Sequence, residues 1–398
     1  MDPATNPFAP GAGTTPPELA GREAIITAAT IALKRAAAGR PAKSQMLLGL
    51  RGVGKTVLLN RIAQLAEQTG YLTLVLEAPE SRALAEMLVP PLRRALLKLS
   101  GVAKSKNIAN KTLRVLRAFA SAFKVKYGEL EIGVEAERGT ADSGDLEQDM
   151  PALLQLVAEA AKAAGRGVAI FIDEVQYLSR EDLSALIVSV HQIGQHQLPF
   201  IVFGAGLPQI AALAGEAKSY AERLFDYPAI GPLDDAAARR AIREPLRAEK
   251  VDIEEAALAL IVKRTHGYPY FLQEWGSHAW NEAPQSPITL RDVERATRHA
   301  LGALDTGFFR VRLDRLAPRE RDYVRAMAEL GAGPHRSGAI AELLGIDVTV
   351  AAPLRAGLIR KGMIYSPAYG DTAFTVPMFD SFLRRVMPDW KPPARKRR

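Results

Sequence analysis

Few stretches restrict a fold as tightly as Gly49-Leu50-Arg51-Gly52-Val53-Gly54-Lys55-Thr56. Three glycines allow the backbone to curl and aim successive N–H groups at one anion, and a lysine and a hydroxyl follow directly. The pattern G-x-x-x-x-G-K-[ST] is met at every fixed position, and it works only between a strand and a helix. Gln45-Met46-Leu47-Leu48 reads as a short buried strand, and Val57-Leu58-Leu59-Asn60-Arg61-Ile62-Ala63 as a helix with an apolar face. The expectation is a polyphosphate cradle formed by Gly49, Gly52, Val53, Gly54, Lys55, Thr56 and Val57. In it Lys55 reaches the β- and γ-phosphates and Thr56 ligates Mg²⁺.

A second motif completes this reading. Val168-Ala169-Ile170-Phe171-Ile172-Asp173-Glu174 is an unbroken apolar strand that ends in two carboxylates. A parallel sheet gathers the carboxyl ends of its strands on one side, so Asp173 is expected in the Mg²⁺ shell and Glu174 beside the attacking water. Tyr71-Leu72-Thr73-Leu74-Val75-Leu76 and Pro199-Phe200-Ile201-Val202-Phe203 read as further buried strands, with helices between. That alternation defines an α/β class with a parallel sheet.

The chain has 398 residues, enough for two or three domains, and its 48% hydrophobic and 24% charged residues belong to a globular protein. The absence of cysteine excludes disulfides, thiolate metal sites and a cysteine nucleophile. No apolar run reaches bilayer length and the N-terminus lacks the pattern of a secretory leader, so the expectation is a cytoplasmic protein without a membrane span. Residues 1–17, rich in Pro, Gly, Thr and Ala, read as a flexible tail with nothing to bury.

Charge is segregated along the chain. The segment 87–128 holds ten basic residues, among them Arg93, Arg94 and Lys98, and no acid, whereas 129–149 holds eight acids against Arg138 alone. One reading is a DNA surface on helices spanning 81–127. The other is internal pairing of the basic helices with the acidic stretch, which includes a hairpin expected over 124–132.

Beyond Pro232 the pattern is helical. From Arg312 three short helices and the pair Met363-Ile364-Tyr365 and Thr372-Ala373-Phe374 read as a winged helix-turn-helix, whose third helix offers Arg355, Arg360 and Lys361 to a duplex. The basic residues Arg395-Lys396-Arg397-Arg398 close the chain.

With these motifs in this order, the chain resembles AAA+ P-loop ATPases, most of all the archaeal-ATPase, origin-initiator and STAND-like branches. The resemblance implies a three-layer P-loop domain over 18–232 with a helical insertion and hairpin at 81–149. It also implies a helical lid over 233–311, a winged helix over 312–388 and a basic tail at 389–398. It implies ATP as the nucleotide, contacts of Arg22 with the base, and Arg223 as an arginine finger reaching a neighbouring subunit of a homo-oligomer. Two departures stand out. Gly204-Ala205-Gly206 replaces the polar residue that usually senses the γ-phosphate at the end of the fourth strand, and the segment from His266 to Gln273 lacks the usual sensor arginine. Both favour a slow switch over fast turnover. Two functions stay open: an ATP-hydrolysing switch on double-stranded DNA, or a signalling or remodelling ATPase whose winged helix binds a partner protein.

Overall fold

The computed structural model describes residues 1–11, 16, 18–79, 82–125 and 136–392. The expected hairpin over 124–132 and the basic cluster at 395–398 lie largely or wholly outside the described residues. The chain forms two compact units, one of Arg22–Leu48 and Lys55–Ala229, the other of Met1–Gly21, Gly49–Gly54 and Ile230–Arg398.

In the first unit α1 (Glu23–Ala37) precedes β1 (Ser44–Leu48), then α2 (Lys55–Gln68) and β2 (Tyr71–Glu77). Next come α3 (Leu84–Ser100), α4 (Lys106–Ala122), α5 (Leu146–Ala163), β3 (Gly167–Asp173), α6 (Arg180–Gln195) and β4 (Phe200–Gly206). Two short helices, α7 (Ile210–Ala217) and α8 (Ala221–Leu224), lead to β5 (Phe225–Asp226). The parallel sheet has the order β2-β3-β4-β1-β5. Every residue of β1 and β3 is buried, as strands covered on both faces require, which explains why β3 reads as an apolar run up to Asp173, while β1 also buries the polar Ser44 and Gln45.

Capping fixes where the helices begin. Ser179 and Asp182 form a capping box on α6, and Asp182 Oδ1 also accepts from Leu84 N–H at 3.1 Å, the first amide of α3, whose own N-cap alanine offers no side-chain bond. Ahead of α5, Asp149 accepts from Ser143 N–H, Ser143 Oγ and Gly144 N–H, which sets the entry loop. The Tyr71 ring lies against Gly167, where an added Cβ would fall 2.4 Å from it. Its hydroxyl donates to Leu33 O at 2.6 Å, and burial pushes the phenol up to about 12.

The second unit contains α9 (Asp235–Ala248), α10 (Glu255–Thr265), α11 (Pro269–Glu282) and α12 (Leu290–Ala303), followed by a π-helical turn and α13 (Arg310–Asp314). There follow α14 (Pro318–Leu330), β6 (His335–Arg336), α15 (Ser337–Leu343), α16 (Val348–Arg360), β7 (Ile364–Tyr365), β8 (Asp371–Phe374) and α17 (Phe379–Val386). The antiparallel sheet β6-β8-β7 beside α14, α15 and α16 is the winged-helix arrangement. The segments expected as separate domains at 233–311 and 312–388 pack as one unit. Phe309 is the reason: its ring lies 6.4 Å from Phe271 of α11 and 5.2 Å from Phe382 of α17.

The N-terminal residues correct the expectation of a tail with nothing to bury. Phe8 is 5% exposed and sits on Gly276 of α11, where a Cβ would approach its ring to 2.6 Å. Asn6 Nδ2 donates to Ser277 O and Asn281 Oδ1, and Trp280 Nε1 donates to Asp2 O at 2.8 Å. One aromatic residue and a few polar contacts suffice to dock a segment that has no periodicity. The other tryptophans also bond within this unit, Trp275 Nε1 to Thr297 Oγ1 and Trp390 Nε1 to Asp322 Oδ1.

Candidate functional site

The loop between β1 and α2 has the backbone that its glycines forecast. Gly52 and Gly54 take φ of 84° and 87°, and a Cβ on Gly49 would stand 2.2 Å from Ile230 O. Within the second unit, Tyr270 N–H donates to Gly52 O at 3.1 Å and Arg51 N–H to Thr375 O at 3.0 Å.

In the first unit Lys55 and Thr56 open α2. Thr56 Oγ1 donates to Asp173 Oδ2 at 2.5 Å, so the two expected Mg²⁺ ligands, 117 residues apart in sequence, meet. Lys55 is 8% and Asp173 9% exposed. Burial raises the Asp173 pKa, opposed by the Thr56 hydroxyl and the Glu174 N–H, which donates to Asp173 Oδ1 at 2.8 Å; repulsion from Glu174 adds to the rise and the Lys55 charge opposes it. A buried carboxylate whose charge the fold leaves partly uncompensated, paired with a hydroxyl at a helix N-terminus, fits a magnesium-nucleotide donor set.

Glu174 follows at φ 54°, ψ 40°, a left-handed conformation uncommon outside glycine, and is half-buried. Gln176 Nε2 donates to Glu174 Oε2, and Leu207 N–H donates to Gln176 Oε1 at 3.1 Å. Sequence reasoning misses Gln176 because its place depends on β4: a Cβ on Gly206 would lie 2.3 Å from Gln176 Oε1. The one advance signal is the glycine at a strand end where a polar side chain is expected.

The remaining expected residues are dispersed. Arg22 is buried at the N-cap of α1, its pKa lowered by burial with Glu23 opposing. Arg223 is exposed on α8. Arg93 is half-buried on α3, whereas Arg94 and Lys98 are exposed there; Lys104 in the connecting turn and Lys106 at the start of α4 are exposed too, and these four carry no acidic partner among the described residues. Further along, Arg114 and Lys111 pair with Glu137 at 3.2 and 3.6 Å, so internal pairing takes part of the basic block.

Two of the three residues expected at a duplex, Arg355 and Lys361, are bonded within the fold. Arg355 Nε donates to Thr372 Oγ1 at 2.9 Å and its Nη2 to Ser366 Oγ and Asp371 O, which fastens the wing to α16. Lys361 Nζ reaches Glu320 Oε2 at 2.6 Å and Arg315 O at 3.2 Å. Arg360 alone of the three is exposed.

Residues 18–203 match the family model of the AAA ATPase domain, and residues 306–383 match a domain of unknown function, DUF8462. With the strand order and the Thr56–Asp173 pairing, residues 18–203 form a P-loop domain of the AAA ATPase type, and a winged-helix arrangement follows it in the second unit. Among particular proteins, an uncharacterized HTH-type transcriptional regulator of Methanocaldococcus jannaschii is 23% identical over 343 residues, 82% of this chain and 79% of that protein. A Walker-type ATPase of Pyrococcus abyssi is 19% identical and similar in fold with a TM-score of 0.58, covering 92% of this chain and 96% of that one. Cdc6p from Pyrobaculum aerophilum aligns over 98% of both chains at 12% identity and a TM-score of 0.47. Among the described residues no single helix is long and apolar enough to cross a membrane.

Proposed function

We propose that the protein is an ATP-hydrolysing switch that binds duplex DNA through the basic helices α3 and α4 together with its winged helix. The observation that carries the catalytic part is the Thr56–Asp173 bond, because it joins the two motifs of a magnesium-nucleotide site. Bound Mg²⁺ supplies charge neutralisation at the phosphate oxygens. Lys55 supports the β- and γ-phosphates, the loop amides hold the remaining oxygens, and Glu174 accepts a proton from the water it orients toward the terminal phosphorus. Arg22 lies by the base, and Arg223 acts on the nucleotide of a neighbouring copy.

For DNA, the support is charge placement. Arg94, Lys98, Lys104 and Lys106 are exposed on one helical pair, and Arg360 is exposed at the end of α16. The transcriptional-regulator name of the Methanocaldococcus relative points the same way. A second reading, a winged helix that docks a partner protein, draws on the internal bonds of Arg355 and Lys361 and on the half-exposed Val348 and Val350 of α16.

The deciding experiment measures ATP turnover with and without duplex DNA over a range of protein concentration. DNA-stimulated turnover and duplex binding at low salt are expected; absence of binding with ATP present leaves the partner-protein reading. A rise of specific activity with concentration that Arg223→Ala abolishes, with ATP affinity unchanged, is expected for a trans-acting arginine. Concentration-independent turnover removes that role.

A further inference from the structure

We propose that Gln176 is the positioning residue for Glu174, supplying from the end of β3 the polar group that β4 does not carry. The proposal rests on the reading of Glu174 as the residue that orients water. β4 ends in Gly204-Ala205-Gly206, so no side chain of that strand's last three residues carries a hydrogen-bonding group. The space is filled from the 3-10 turn, Val175–Tyr177, that follows the neighbouring strand β3. Gln176 Oε1 stands where a Cβ on Gly206 would be 2.3 Å away, so glycine at 206 is what admits the amide.

The orientation of that amide is fixed from both ends. Leu207 N–H is a backbone donor and requires an oxygen, which it meets in Gln176 Oε1 at 3.1 Å. The carboxylate of Glu174 is an acceptor and requires a donor, which it meets in Gln176 Nε2. A flipped amide would set N–H against N–H at one end and oxygen against oxygen at the other. The backbone leaves little slack: Glu174 is left-handed, Val175 is 1% exposed, and Tyr177 N–H donates to Glu174 O at 3.0 Å, closing the turn on which Gln176 sits. A rigid amide thus ties the carboxylate to the backbone at the end of β4. The aim of Glu174 is set by the strand frame rather than by its own rotamer freedom.

Gln176→Glu separates this role from simple packing. The variant has nearly the same shape and keeps an acceptor for Leu207 N–H, but it replaces the donor to Glu174 with a repelling oxygen. Gln176→Ala removes both bonds. Single-turnover hydrolysis and the affinity for a fluorescent ATP analogue are measured for both, with thermal unfolding as a control. Because misplacement by about 1 Å can cost about 10²-fold in rate, both variants are expected to hydrolyse at least roughly 10-fold more slowly, with ATP affinity within about twofold of wild type. Wild-type turnover by Gln176→Glu overturns the proposal. So does an equal proportional loss when Gln176→Ala is added to Glu174→Gln, since that places Gln176 outside the action of Glu174. If Glu174→Gln itself turns over at the wild-type rate, the water-orienting reading has failed first, and the proposal falls with it for that identifiable reason.

Discussion

Asp173 and Glu320 are both buried carboxylates, each beside a helix start, and their acidities move in opposite directions. For Glu320 burial pushes the pKa up, but the Lys361 ammonium, the Ala317 N–H and Arg360 outweigh it and hold the carboxyl below its ordinary value. For Asp173 burial wins over the Thr56 hydroxyl, the Glu174 amide and Lys55, and the pKa is raised. Glu320 is satisfied by its own fold. Asp173 bears a burial cost that the fold does not offset, the pattern expected of a group that a ligand would complete. The same contrast separates the basic residues: Arg355 and Lys361 hold a wing and a helix start, whereas Arg94 and Lys98 on α3 hold nothing among the described residues.

The largest effects are expected at the catalytic end of this comparison. Glu174→Gln should lower hydrolysis by about 10²–10⁴-fold, the usual contribution of a positioned base, while a filter-binding assay still detects bound ATP. Lys55→Ala should lose roughly 10²–10³-fold in turnover and weaken binding as well. Asp173→Asn sharpens the contrast further. Magnesium-dependent hydrolysis should fall about 10²-fold while the first unit unfolds at the same or a higher denaturant concentration, because a poorly compensated buried charge has been removed. A clear loss of stability in that variant would break the distinction between the two carboxylates.

Charge reversal at Arg94 and Lys98 is expected to weaken duplex binding and to reduce the slope of log K against log salt by about 0.9 for each phosphate that is no longer neutralised. An unchanged slope would mean that these charges serve no nucleic acid. Lys361→Ala should destabilise the second unit by about 1–2 kcal/mol without changing ATP affinity, since it leaves the buried Glu320 carboxylate with the Ala317 N–H but without its ammonium partner. Acid should act with opposite signs. The depressed pKa of Glu320 gives stability that is present above its unfolded value and lost as pH falls through the folded one. The raised pKa of Asp173 imposes a cost above its folded value that is relieved as pH falls through it. Lys361→Ala should therefore flatten the acid limb of the stability curve, and Asp173→Asn should steepen it.

What the sequence makes legible is whatever depends on residue type at fixed spacing. The phosphate loop, the carboxylates at the end of β3 and the helical character of 81–127 follow from short-range pattern, whereas the break between α3 and α4 near Gly101 does not. Pairing across distance is hidden. Nothing in the composition of 312–388 says that Arg355 turns back onto Thr372 or that Lys361 finds Glu320, because a charge written in a sequence does not name its partner. Phe8 is lost among prolines and glycines, although one buried ring on Gly276 anchors its segment. Gly206 reads as the loss of a sensor, whereas the missing side chain is the space that Gln176 occupies.

The placement of the tryptophans makes the molecule its own two-channel instrument. Trp275, Trp280 and Trp390 all belong to the second unit, and the chain contains no others. Excitation at the red edge of protein absorbance therefore reads that unit alone, against a dark background from the five-stranded sheet. Since the chain also lacks cysteine, one thiol introduced on an exposed helix of the first unit would take a single dye. Energy transfer from three native donors to that acceptor would follow the separation of the units in real time, with no tryptophan removed or added.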